Sequence, residues 1–176
     1  MKDAPIQDWS SAFGNCRQCP NIIDFEFAPF VSNATNFNDM FYYGGGTFAG
    51  SMTAIKGLDV INGTTFGRFL GARNVGICEI KNWKQGNFDF TQQTNTNTYI
   101  INTMKYMIFH AVNSEDGATN RSMTLHSTPK NKWLNDVANT TPTAEDVEIL
   151  GVEDWDRYGD LTWAEIASSI KDITIA

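Results

Sequence analysis

An α/β solenoid, with a mainly parallel sheet on one face and short helices or turns on the other, is what this sequence predicts. Three observations predict it. A short apolar phrase recurs along the chain, glycine- and threonine-rich segments separate its copies, and an aromatic residue returns at a fixed offset after several of them. The clearest pair lies within 55–83, where Ile55-Lys-Gly-Leu58-Asp59-Val60 is followed by Val75-Gly-Ile-Cys78-Glu79-Ile80. Each places apolar residues at i, i+3 and i+5 with an acidic residue between the last two, and the two starts are 20 residues apart. A strand, a return segment and another strand at that spacing mark a repeat architecture, in which each unit buries its apolar face against its neighbours.

Taken in order, Ile6 and Trp9 open the chain as a partial copy, and Ile22, Phe25 and Phe27 carry the next, with Glu26 as its acid. Further copies begin at Ile55, Val75, Val147 and Ile170, and a weaker one at Asn120 uses Met123 and Leu125. Starts at 22, 55, 75, 120, 147 and 170 give intervals of 33, 20, 45, 27 and 23 residues. Leucine-rich repeats run at about 20–29 residues, so three intervals fit and two require insertions. One insertion is the glycine-rich excursion Tyr42-Tyr43-Gly44-Gly-Gly46-Thr-Phe48-Ala-Gly50. The other is a helix over 97–112, where Tyr99, Ile100, Met104, Met107, Ile108 and Ala111 fall mainly at helical spacing. Trp83, Trp155 and Phe30 each stand three residues after the last apolar position of a copy.

The segments after each copy, such as 36–41 and 64–66, read as short helices or turns. Thr162 and Glu165 form a capping box that opens a helix to about Ser169. Beyond a loop over 113–120 the expected order is strand, helix over about 129–138, loop, strand, helix, strand. The expectation is therefore one irregular leucine-rich-repeat domain over 1–176. Its clearest repeats lie in 1–95, and helix-containing terminal repeats continue the same sheet over 96–176.

Composition narrows the partners. At 176 residues and 41% apolar content the chain can bury a sizeable core. A net charge of −7 disfavours nucleic acid and anionic membrane surfaces. The charged fraction is 19%, and polarity comes instead from Asn, Thr, Gln, Ser and Gly, as in extracellular or particle-surface proteins. No run approaches the ~18 apolar residues of a membrane span, and the N-terminal residues lack the apolar core of a secretory signal. Export by another route or a trimmed mature form is the corresponding expectation. Cys16, Cys19 and Cys78 are an odd count, which argues against a disulfide framework. Cys16 and Cys19 have C-x-x-C spacing but no second ligand pair, so all three read as small core residues.

Tests for chemistry return no catalytic residue, no cofactor and no assigned metal ligand. The only histidines, His110 and His126, sit in apolar surroundings without a nucleophile elbow and read as structural. Glu26, Asp59 and Glu79 are expected to align as an acidic ladder on neighbouring strands about 4.8 Å apart. That ladder reads as a solvated face that resists edge-to-edge association, with calcium binding as the alternative. Asp154 to Glu165 copies an EF-hand loop at positions 1, 3, 6, 8 and 12, but Tyr158 stands at position 5 and the capping box already uses Glu165. Gly44-Gly-Gly46 follows no strand that would present a phosphate to a helix.

With Phe13-Gly-Asn-Cys16, Asn33-Ala-Thr-Asn-Phe-Asn-Asp-Met40-Phe41 and the acid-bearing phrases in view, the first 90 residues resemble the BspA-like leucine-rich repeats of gut bacteria and their phages. The other copies depart from that pattern: 63–69 lacks the Met, and Cys78 stands in place of Leu. Met123-Thr-Leu-His126-Ser-Thr-Pro-Lys130-Asn-Lys-Trp133 and the ending Lys171-Asp-Ile-Thr-Ile-Ala176 are similar to tails of such repeats. The resemblance implies a non-enzymatic recognition or adhesion protein on a virion (tail or head fibre) or a cell surface. Its partner would be a host surface glycan or protein, other virion proteins, or a second copy in a homo-oligomer. Neither nucleic acid nor membrane insertion is expected. Tyr42, Tyr43 and Phe48 are the candidate contacts, with packing beneath the glycine loop as their alternative. The runner-up function is a purely structural virion assembly component held through the edge near Met1 to Trp9.

Overall fold

A computed structural model describes residues 6–13, 24–26, 33–42, 52–70, 75–92, 98–151 and 155–176. Cys16, Cys19, Tyr43, Gly44–Gly46, Phe48 and Asp154 lie outside the described residues. Strands β1 (Asp24–Glu26), β2 (Met52–Asp59) and β3 (Val75–Lys81) form a parallel sheet in that order. Ile55 pairs with Cys78 and Leu58 with Ile80, so β2 carries one extra residue across that step. Gly57, at φ +67°, stands within it, in a left-handed conformation that only glycine adopts without a steric cost. This bulge lets Ile55 and Leu58, three residues apart, both reach the core with Val60. Cys78 and Ile80 in β3 are buried by plain two-residue alternation.

Three residues after β3 the chain enters β4 (Gln85–Phe90), which pairs in parallel with β5 (Thr119–Leu125), itself paired with β6 (Ile173–Ile175). Phe88 and Phe90 are buried on β4, and Arg121, Met123 and Leu125 on β5. Between β4 and β5 lies helix α1 (Thr98–His110), inside the span where helical spacing predicts one. Helix α2 (Ser127–Lys132) widens into a π-type turn through Val137. Helix α3 (Ala144–Leu150) begins at a Thr143–Asp146 capping box and ends at Gly151 with φ +61°. Helix α4 (Trp163–Glu165) begins at the Thr162–Glu165 box and also widens, through Ile170.

The expected leucine-rich-repeat solenoid is corrected by this arrangement. The chain is a small α/β protein with two separate three-stranded parallel sheets, β1-β2-β3 and β4-β5-β6, in place of one continuous sheet. The first sheet stops at β3 for a local reason. The backbone N–H of Cys78, which a further strand would have taken, donates to the Thr103 hydroxyl of α1 at 2.9 Å. The strand expected from Val147 is helix α3, because Val147 and Leu150 at i and i+3 fit a helical face as well as a bulged strand, and the Thr143 cap and Gly151 stop decide for the helix. The acidic ladder also fails to form. Backbone register pairs Glu26 with Lys56 and Asp59 with Lys81, not with one another. The Asp59 carboxylate accepts from the Ile61 N–H at 3.0 Å and from Asn82 Nδ2 at 2.8 Å.

Segments 7–13, 35–41 and 64–70 lie alongside one another, joined by parallel bridges from Asp8 to Asn36 and from Asn36 to Thr65. Trp9 N–H donates to the Asn36 carbonyl at 2.8 Å and Phe37 N–H to the Thr65 carbonyl at 2.9 Å. That spacing piles aromatic rings beneath the backbone. Phe37 stacks on Phe66 at 5.4 Å, Phe66 on Phe88 at 4.0 Å and Phe88 on Phe90 at 5.6 Å, while Trp83 meets Phe88 edge-on at 5.1 Å. Gly86 permits the approach: at φ +83°, a Cβ on it would sit 2.6 Å from the Thr64 carbonyl oxygen. Phe88 is the ring that touches most of this column. Phe88→Ala should therefore cost about 3–5 kcal/mol in urea denaturation, against less than about 0.5 kcal/mol for Leu134→Ala at an exposed position. Equal small losses would mean the column does not hold β4 to the segments stacked beside it.

Candidate functional site

Where α1 ends, its last carbonyls need partners, because no further turn supplies N–H groups. The carbonyl of His110 accepts from the Asn82 N–H at 2.9 Å. Those of Phe109 and Ala111 accept from the Lys171 ammonium at 2.9 and 2.8 Å, and Asn113 Oδ1 is its third acceptor at 2.8 Å. A cation at a helix C-terminus also opposes the helix dipole. Lys171 reaches this position from the turn before β6, where Asp172 takes φ +50°. Arg121, projecting inward from β5, donates through Nη1 to the carbonyls of Trp83 at 2.6 Å and Val112 at 2.8 Å. Two buried cations thus tie the end of α1 and the β3–β4 link to the second sheet.

Beside this knot lies an open cleft of about 520 Å³. Its walls include Asn82, His110 and Asn113 from around the end of α1, Asp116 from the following 3₁₀ turn, Gly151 from the end of α3, and Arg157, Tyr158 and Lys171. His110 Nε2 lies 2.8 Å from the Leu150 carbonyl, which can only accept, so this nitrogen carries the proton and the neutral ring is held in one tautomer. The ring stacks on Tyr106 at 4.1 Å. Burial pushes the His110 pKa below its usual value, the Leu150 bond opposes that, and Lys171 and Lys81 add to it. Arg157 is half exposed, with Nη2 at 4.0 Å from Glu115, itself 76% exposed. Such a pair contributes little and leaves the guanidinium available.

The candidate contacts from the sequence are not brought together here. Tyr42 is half-buried with the Arg68 guanidinium 4.7 Å over its ring, and it does not line the cleft. Tyr43 and Phe48 lie outside the described residues. His126 caps α2, its Nδ1 accepting from the Thr128 N–H at 3.3 Å. In the EF-hand-like stretch, Trp155–Tyr158 is a 3₁₀ turn, and Glu165 Oε2 accepts from both the N–H and the hydroxyl of Thr162 at 2.8 Å. Among the described residues, no group of three or more His, Cys, Asp and Glu could hold a metal ion. The Cys78 thiol is fully buried, which raises its pKa strongly and leaves it an inert core group.

Sequence reasoning missed Arg121, Asn113, Arg157 and Lys171. Two signals were present. Arg121 occupies the inward position of the alternation Arg121, Met123, Leu125, and Lys171 stands between the apolar Ile170 and Ile173. A charge in a buried register position is the pattern that points to a hydrogen-bonded knot. No family model, curated protein or solved structure matches the chain.

Lys171 also has a measurable signature. Burial, followed by the charges of Arg157 and Arg121, brings its pKa down to about 8 from the 10.5 of a free lysine, with Asp116 opposing. Its three oxygen acceptors pull the other way. With a folded pKa below the unfolded one, the unfolded chain holds the extra proton between these two values. On this group's account stability therefore rises as pH climbs from about 8 toward 10.5. Below pH 8 the ammonium is charged in both states and the whole cost of burying it is present. Compared with Lys171→Met in urea denaturation, the wild-type chain should gain about 1–3 kcal/mol across that window. A wild-type advantage that shrinks above pH 8 would show that the acceptors outweigh burial.

Proposed function

We propose that the chain is a non-enzymatic recognition module of a virion or cell surface, and that the cleft beside the end of α1 is where it meets a host glycan or protein. One observation carries the reading. The histidine and the lysine of the cleft are committed to holding the fold, while donors and acceptors on its rim, Asp116 among them, remain open to a ligand. His110 is fixed on the Leu150 carbonyl, and Lys171 spends its three N–H groups on Phe109, Ala111 and Asn113. A general base must be free to exchange a proton with a substrate. A binding site needs only a concave surface with a few fixed polar groups. The Asn- and Thr-rich composition and the likeness of 33–41 to BspA-like surface proteins support the same setting.

The test is binding by the whole chain, labelled and applied to a glycan array and to intact gut bacterial cells. Saturable binding that drops at least about tenfold with Arg157→Ala is expected, the loss of a charge-assisted contact being worth that much. Absence of any glycan or cell binding, together with stable oligomers in light scattering, would favour the virion-assembly role instead.

A further inference from the structure

The cleft carries information about the class of ligand, and the inference that follows rests on the recognition reading above. The chain is acidic overall, at −7, yet the cleft wall itself carries Arg157 and Lys171 beside a single acid, Asp116, with Glu115 4.0 Å from Arg157 outside the lining. Lys171 and Lys81 are the charged groups that act on His110, and Arg157 and Arg121 act on Lys171 against Asp116 alone. Arg121 lies behind the wall, only 3% exposed, and among the described residues its Nε and Nη2 have no hydrogen-bond partner. Through Nη1 it meets only the Trp83 and Val112 carbonyls, with Asp172 as the acid that acts on it, and the surrounding low dielectric lets its charge extend toward the cleft.

Donor geometry adds a direction. Lys171 can only donate, so it turns the Asn113 side-chain oxygen inward and leaves the Nδ2 group as the outer end of a cleft-lining side chain. Arg157 supplies a planar fork of N–H donors suited to a carboxylate. Asp116, exposed and lining the same cleft, can only accept while ionised, so it would repel a bare anion and accept a hydrogen bond from a hydroxyl. Nearby donors for an anion and an acceptor for a hydroxyl call for both groups in one molecule. The cleft, at about 520 Å³, falls inside the roughly 300–1,000 Å³ of small-molecule sites.

We propose that this cleft binds an acidic saccharide, with its carboxylate on Arg157 and Asn113 Nδ2 and a ring hydroxyl on Asp116. The sugar is the carboxylated residue of a surface glycan, presented at the end or along the side of its chain.

Calorimetric titration of the intact protein with methyl β-D-glucuronide, methyl β-D-glucoside and acetate tests this. The glucuronide should bind at least about tenfold more tightly than either of the others, since each lacks one of the two recognised groups. Arg157→Ala should remove most of that preference. Asn113→Asp keeps the oxygen that Lys171 uses, so the variant folds, but it sets a second carboxylate against the ligand and should weaken the glucuronide about tenfold while sparing the glucoside. Glucoside binding equal to glucuronide, or glucuronide binding indifferent to both substitutions, overturns the acidic-sugar assignment while recognition of cells stands. Acetate binding as tightly as the glucuronide overturns the saccharide part. Failure of the unmodified chain to bind any cell or glycan overturns the underlying reading instead.

Discussion

The ammonium of Lys171 beneath the last turn of α1 is the interaction on which the rest of the arrangement depends. Burying a lysine is costly unless its N–H groups are all used, and here each has an oxygen within 2.9 Å. Arg121 performs the complementary task one strand away, joining the segment that links β3 to β4 with the segment that leaves α1. Neither cation has a bonded carboxylate partner among the described residues. Both are met by carbonyl oxygens, and removing Lys171 would leave the Phe109 and Ala111 carbonyls without this donor. Arg121, lowered to about 10 by burial with Asp172 opposing, stays charged at neutral pH.

Around that knot the second sheet is joined to the stacked N-terminal segments by ring packing. The first sheet's ladder ends at β3, where α1 takes the Cys78 N–H, while β4 is joined to the stacked segments 35–41 and 64–70 by the Phe66–Phe88 bridge and the column Phe37, Phe66, Phe88 and Phe90. Trp83 and Trp133 are both buried, and Trp163 meets Trp133 at 6.4 Å. Lys105 stands 5.1 Å over the Trp163 ring while it is paired with Asp146, which binds α3 back onto α1. The cleft is what remains open where α1, α3 and the 155–158 turn converge, so its walls come from elements that are each fixed for structural reasons.

Much of this was legible locally and little of it globally. The capping box at Thr162 and Glu165, the helix within 97–112 and the inward apolar positions of β2 and β3 follow from short-range rules that the folded chain obeys. The i, i+3, i+5 phrase misled because two geometries satisfy it. With Gly57 it describes a bulged strand, and with Thr143 before it and Gly151 after it, a helix. Sheet order was hidden too, since nothing in the spacing of the copies reveals that Thr103 will take the edge of β3. The cleft could not be read from motifs, because its key contacts join residues 58 to 62 positions apart through side chains that form no contiguous signature.

That separation has a kinetic meaning. Helix α1 is a local structure that can flicker into place within microseconds of being free to do so. The donor for its final carbonyls arrives from 62 residues downstream of Phe109, and closing a loop of that length precedes any reward from the contact. Until that loop closes, the end of α1 is an unfilled set of acceptors and the cleft has one wall missing. The cleft is thus assembled by one of the most sequence-distant contacts in the described fold. It should belong to the last region to consolidate and the first to open.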